Sequence, residues 1–181
     1  MTIEVEIKYS VNNLEDIEFE LISKKAQLLE IVIQRDHYYN HPSKDYSQTD
    51  EALRIREEGD YFFLTYKGPK IDELSKSRLE CNLKIDNFRT MNEILIALGF
   101  TYVLVVSKER KSYKIDDIVI SLDRIEGLGD FVELELQIET DEELVKARNK
   151  LISQAKIFSI NTNSQIRESY LELLLKKMDV K

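Results

Sequence analysis

Acidic and basic residues recur two apart along this chain, as Glu4, Glu6 and Lys8, then Arg54 and Arg56, Arg78 and Glu80, Lys108 and Arg110, Ser121 and Asp123, and finally Glu133 and Glu135. On a pleated strand that spacing points both members of a pair to one face. Lys67 closes a further run beginning at Tyr61. Paired carboxylates are hard oxygen ligands suited to Mg²⁺ or Mn²⁺. Arginine offers a planar fork and lysine a point charge, and both suit phosphate oxygens.

The elements that must carry these residues follow from apolar periodicity. Ile3, Val5 and Ile7 alternate with Glu4, Glu6 and Lys8, as in a half-buried strand. From Asn13 to about Leu29 apolar residues recur at helical spacing, with Asn13 and Asp16 placed as a partial capping box. A second strand runs through Val32, Gln34 and Asp36 to Tyr38. Leu53 to Glu57 and Tyr61 to Lys67 make a hairpin around Glu58-Gly59-Asp60. Further strands are expected over Arg78 to Ile85, Tyr102 to Tyr113, Ile118 to Arg124 and Phe131 to Ile138, with a short helix from Thr90 to Leu98. Helices over Asp141 to Gln154 and Ser164 to Lys177 follow. The pattern predicts one α+β domain over residues 1–181, a closed antiparallel eight-stranded β-barrel with helices packed outside.

On any single strand, such alternation is the ordinary signature of a solvated face. Here the opposite faces are richly apolar (Ile3/Val5/Ile7, Leu53/Ile55, Leu79/Cys81/Leu83, Val132/Leu134/Leu136), and helices outside the barrel would turn the charged faces inward. Seven cations (Lys8, Arg54, Arg56, Lys67, Arg78, Lys108, Arg110) and six carboxylates cannot be buried together without a counterpart. A triphosphate with divalent metal supplies one, its phosphates on the cations and the metal on Glu4, Glu6, Glu133 and Glu135. On this reading Arg56 stands in a crowd of like charge. The substrate-free protein is therefore expected to be no less stable without it.

Glu4-Val5-Glu6-Ile7-Lys8 forms an ExExK signature, and Leu53-Arg54-Ile55-Arg56, Thr65-Tyr66-Lys67-Gly68-Pro69, Ser77-Arg78-Leu79-Glu80 and Lys108-Glu109-Arg110 follow in order. Leu122-Asp123, Gly127 to Glu135 and Ser169-Tyr170-Leu171-Glu172-Leu173-Leu174 complete the series. Taken jointly these resemble the CYTH superfamily, the triphosphate tunnel metalloenzymes, and most of all its class IV adenylyl cyclase (CyaB-like) branch. The resemblance implies Mg²⁺ or Mn²⁺ on Glu4, Glu6, Glu133 and Glu135, with Asp123 a further ligand. It places Lys8, Arg54, Arg56, Lys67, Lys108 and Arg110 on the triphosphate. Arg78 and Glu80 match less specifically and are alternatively partners of each other. The candidate catalytic residues are Lys8, Arg56, Lys108 and Glu135. The implied reaction is ATP to cyclic AMP and pyrophosphate; the alternatives are hydrolysis of thiamine triphosphate or inorganic tripolyphosphate, or binding without catalysis. The absence of Trp removes one stacking surface for thiamine.

Other features invite function but read as structure. His37 and His41 flank a tyrosine-rich strand end, Cys81 alternates with Leu79 and Leu83 as a small core residue, and Gly127-x-Gly129 lacks the Lys-Ser/Thr of a phosphate loop. The net charge of −8 opposes nonspecific nucleic-acid binding. No apolar run reaches the ~20 residues of a membrane span, the N-terminus has no apolar signal core, and one cysteine permits no internal disulfide. A cytoplasmic protein is expected, with a homodimer as a candidate assembly, acting on a small triphosphate without nucleic-acid or membrane partners.

Overall fold

The computed structural model describes residues 3–69 and 79–179. Within them the chain runs β1 (Ile3–Val11), α1 (Leu14–Ser23), β2 (Gln27–Asn40), α2 (Tyr46–Thr49), β3 (Ala52–Glu58), β4 (Tyr61–Lys67), β5 (Glu80–Ile85) and α3 (Phe88–Ala97). It continues through β6 (Thr101–Ile115), β7 (Ile118–Ile125), β8 (Gly129–Ile138), α4 (Leu144–Ile157), β9 (Gln165–Ile166) and α5 (Tyr170–Asp179). Every ladder is antiparallel, in the order β5-β4-β3-β2-β6-β7-β8-β1-β9.

The class is α+β as expected; the described strands number nine rather than eight, and their ladders do not show a closed barrel. Nine strands make a sheet whose terminal members, β5 and β9, share no ladder among the described residues. The sheet nonetheless curls strongly. The Glu4 carboxylate, on β1, feels the charges of Lys67 on β4 and Glu80 on β5, from the opposite end of the strand order. Alternation along a strand is a local signal, whereas closure depends on twist and stagger summed over all strands.

The convex face holds most of the apolar core. Val5, Ile7 and Tyr9 of β1, Ile118, Ile120 and Leu122 of β7 and Val132, Leu134 and Leu136 of β8 are buried under Leu14, Ile17 and Leu21 of α1 and Ala147, Leu151 and Ala155 of α4. A second cluster packs Tyr39, Leu53, Ile55 and Ile85 under Leu95 of α3 and Tyr46 of α2. Two helix starts are fixed by asparagine. Asn13 accepts from the Glu15 amide and donates to Asp16, and Asn87 accepts from the Thr90 amide. Gly127 and Gly129, both at positive φ, turn β7 into β8 as the sequence suggests.

Three local expectations fail. The first helix stops at Ser23 rather than near Leu29, because Lys25 takes the left-handed conformation (φ 61°) and Gln27 to Leu29 enter β2. Cys81 is exposed and Leu79 and Leu83 are more than half exposed, since no helix among the described residues covers that end of the sheet. The last helix begins at Tyr170 rather than Ser164, after a short 3₁₀ turn and β9. No helix among the described residues is long and apolar enough to cross a membrane.

Candidate functional site

Strand register sets the concave face. Asp36 lies opposite Arg56 and Tyr38 opposite Arg54 across β2 and β3. Gln34 faces Lys108 across β2 and β6, Arg110 faces Asp123 across β6 and β7, and Ser121 faces Glu133 across β7 and β8. Glu133 in turn faces Lys8 and Glu135 faces Glu6 across β8 and β1, while Lys67 faces Glu80 across β4 and β5. Alternation thus delivers these charged side chains to one side of the sheet, opposite the helix-covered core. Several are deeply buried: Lys8 and Asp36 expose 2% of their surface, Lys108 6% and Asp123 none.

Two aspartates organise the arginines. Asp36 Oδ1 accepts from Arg56 Nε (2.7 Å), and its Oδ2 accepts from Arg56 Nη2 (2.8 Å) and Arg54 Nη1 (2.8 Å). The Arg54 and Arg56 charges hold the Asp36 carboxyl well below the ordinary range, outweighing the opposing effect of burial. Asp123 accepts from Arg110 Nε (2.6 Å) and Nη2, and from the Tyr170 hydroxyl (2.8 Å). Arg110 Nη2 also donates to Glu133.

The lysines are held differently. Lys8 Nζ donates to the Glu168 carbonyl and stands 4.1 Å from the centre of the Tyr170 ring. Lys108 Nζ approaches the same ring at 5.6 Å. Burial, with Arg110 and Arg56 nearby, pushes the Lys108 ammonium down to about 8, against the pull of Asp123 and Asp36. Lys67 pairs with Glu80 at 2.8 Å.

Four carboxylates press on one another at the β1–β8 side. Burial first, then Glu4, Glu6 and Glu133, push the Glu135 carboxyl up to about 7 despite Arg110. Glu4 keeps part of its surface in solvent, and its carboxyl is raised by partial desolvation and by Glu6, Glu80 and Glu133 against the pull of Lys67. Among the described residues no three Asp, Glu, His or Cys side chains are already gathered at metal-holding geometry. The donor set still fits a hard divalent cation, because Glu4, Glu6, Glu133 and Glu135 supply only oxygens and their mutual repulsion is the kind a cation relieves. Asp123 neighbours Glu133 through the shared Arg110 Nη2, but its own oxygens already accept from Arg110 and Tyr170.

The sequence-derived residues Glu4, Glu6, Lys8, Arg54, Arg56, Lys67, Lys108, Arg110, Asp123, Glu133 and Glu135 therefore share one face. Arg78 lies outside the described residues, and Glu80 has Lys67 as its partner. His37 packs against Phe88 of α3 with its ring tilted, and His41 lies against Tyr46 and Phe100. Sequence reasoning missed Asp36, although it sits two residues from Gln34 and Tyr38 on the correct alternation. It also missed Tyr170. A Ser169-x-x-Glu172 capping box marks that position: Ser169 Oγ accepts from the Glu172 amide (3.2 Å) and the Ser169 amide donates to Glu172 (2.6 Å). Asp36 also reverses the expectation for Arg56, which neutralises a buried carboxylate instead of merely adding to a cationic crowd.

An antiparallel sheet curled around opposed cations and carboxylates defines the class, and comparison with known proteins gives the family. Residues 2–170 match the CYTH domain, and the chain belongs to that family. It is 42% identical over 171 residues to a candidate adenylate cyclase of Methanocaldococcus jannaschii, across 94% of this chain and 98% of the relative. It is 26% identical to the adenylate cyclase CyaB of Aeromonas hydrophila, across 94% and 87% of the two chains. A solved Pyrococcus horikoshii protein superposes with a TM-score of 0.86 at 40% identity, covering 96% of this chain and 99% of that one.

Proposed function

We propose that the concave face binds a nucleoside triphosphate with Mg²⁺ or Mn²⁺, and that the chain converts ATP to cyclic AMP and pyrophosphate. The observation that carries this reading is the meeting of a cation row, with Lys8 and Lys108 buried and Arg54, Arg56 and Arg110 partly exposed, and the crowded Glu4, Glu6, Glu133 and Glu135. The cations keep N–H groups beyond those given to Asp36 and Asp123, the carboxylates crowd one another, and a metal-bound triphosphate complements both. The adenylate cyclase names of the M. jannaschii and A. hydrophila relatives support the finer assignment.

Glu4, Glu6, Glu133 and Glu135 would hold the metal, which supplies neutralisation of phosphate charge. Arg54 and Arg56, backed by Asp36, and Arg110, backed by Asp123, enter the reaction already oriented and lose little freedom on binding. In cyclisation the ribose 3′-hydroxyl loses its proton to water as its oxygen forms a bond to the α-phosphorus, and the bond from that phosphorus to the β-bridging oxygen breaks. The fixed guanidinium groups and Lys8 then stabilise charge on the departing pyrophosphate. Lys108, lowered to about 8 by burial and by Arg110 and Arg56, stays largely cationic at neutral pH and adds to that stabilisation.

The test is a panel of ATP, tripolyphosphate and thiamine triphosphate with Mg²⁺ or Mn²⁺, analysed for cyclic AMP, pyrophosphate and phosphate. Cyclic AMP and pyrophosphate in equal amounts from ATP is the expected result. Phosphate from tripolyphosphate or thiamine triphosphate without cyclic AMP would replace the cyclase reading with a hydrolase. Neither turnover nor binding of any member would overturn the triphosphate site.

A further inference from the structure

Asp36 does not match the metal-holding role given to Glu4, Glu6, Glu133 and Glu135 on the concave face. The groups that shift Glu135 include Glu4, Glu6 and Glu133, whereas those that act on Asp36 are Arg54, Arg56 and Lys108, all cations. Its two oxygens already accept three N–H groups, two from Arg56 and one from Arg54. A carboxylate so occupied has little left for a metal.

Register explains how one aspartate reaches two arginines. Asp36 is directly opposite Arg56 on β3 and diagonal to Arg54, which lies opposite Tyr38. Cross-strand and diagonal neighbours are both within reach of long side chains. Depth then separates the partners. The Asp36 side chain is 3% exposed, while Arg54 and Arg56 retain 13% and 16%. The carboxylate sits behind and the guanidinium groups in front. Arg54 Nε is buried and has no hydrogen-bond partner among the described residues. Leaving such a donor unmet is costly unless a ligand takes it.

We propose that Asp36 is a positioning residue of the triphosphate site, fixing the spacing and orientation of Arg54 and Arg56 so that their remaining N–H groups meet the phosphates together. The inference rests on the triphosphate reading and adds to it a division of labour. Arg54 and Arg56 touch the substrate, and Asp36 acts only through them. A charge-balancing role makes the opposite forecast, since removing an anion from behind two arginines would leave them freer to grip phosphate.

The experiment compares wild type, Asp36→Asn and Arg56→Ala with the double variant, measuring calorimetric binding of tripolyphosphate and kcat and KM on the triphosphate that wild type turns over. Melting temperature is followed throughout. Asp36→Asn keeps the size of the side chain but cannot accept at both positions. The expected result is a fall in kcat/KM on the order of 100-fold, the usual cost of misplacing a positioned group by roughly 1 Å. Most of that fall should appear in kcat, and it should largely vanish when Arg56 is already alanine, because the two changes remove one interaction. Wild-type kcat/KM in Asp36→Asn, or an undiminished fall in the Arg56→Ala background, would overturn the proposal. Should Asp36→Asn fail to fold, Asp36→Glu poses the same question. It keeps the charge and moves the carboxylate by one methylene, so positioning forecasts the same loss and charge balance forecasts none. Failure of wild type itself to bind tripolyphosphate would strike the triphosphate reading instead, which keeps the two failures distinct.

Discussion

Replacing Glu135 with glutamine probes the carboxylate cluster through stability alone. Its carboxyl is raised from 4.5 to about 7 by burial and by Glu4, Glu6 and Glu133. At about 1.4 kcal/mol per tenfold change in proton affinity, that rise corresponds to roughly 3 kcal/mol. The side chain is only partly buried, and solvent screening brings the expected effect to about 1–3 kcal/mol. Below 4.5 the group is protonated in both folded and unfolded chains and contributes no difference. Between 4.5 and about 7 the folded state keeps its proton while the unfolded state loses it, so wild-type stability falls as pH rises through this window. Above it the full cost of the ionised carboxylate is present. In chelator, Glu135→Gln should therefore match wild type at about pH 4 and exceed it by about 1–3 kcal/mol at about pH 8. Urea unfolding at a series of pH values reads this directly. Adding Mg²⁺ or Mn²⁺ at alkaline pH should reverse the order, because wild type gains a cation that the variant holds poorly. Parallel pH curves for the two proteins in chelator would refute the crowded cluster. No metal-induced rise in wild type would refute its use as a metal site.

Arg56→Ala strips two of the three hydrogen bonds from buried Asp36 and should destabilise the ligand-free protein by about 2–4 kcal/mol; an unchanged or higher melting temperature would show that Asp36 needs only Arg54. Lys108 loses its proton at about 8 when folded but near 10.5 when unfolded, so the unfolded chain binds more protons between those values and wild-type stability should rise across them. Over the same range kcat/KM should fall as the cation is lost, and Lys108→Arg should shift that alkaline limb upward; a limb that stays put in the variant would assign it to another group.

Legibility in the sequence followed the reach of each signal. Strand alternation spans a few residues, and it located the charged face of β1, β3, β6 and β8 with little error. Sheet closure is a sum over nine strands, and no local pattern encodes it. The end of α1 was misjudged because the left-handed position that stops it is Lys25, where glycine would have given notice. Cys81 looked like core because alternation tells sides apart but not whether a helix covers them. Asp36 escaped because one carboxylate between a glutamine and a tyrosine has no partner at i+2. Its meaning comes from Arg54 and Arg56, which only the pairing of β2 with β3 brings alongside.

Tyr170 carries the concave face to the final helix of the chain. Its ring lies over Lys8 of the first strand and near Lys108 of β6, while its hydroxyl reaches Asp123 of β7. β1 is itself pinned between β8 and β9, so the earliest and latest segments close on each other. During synthesis the strands bearing Arg54, Arg56, Lys108 and Arg110 emerge well before the residue that tethers the two lysines and Asp123. A nascent chain therefore has most of the charges but not their arrangement until the last helix docks. Ligand binding should accordingly slow amide exchange across the whole sheet at once, because no single hairpin carries a working fragment of the site.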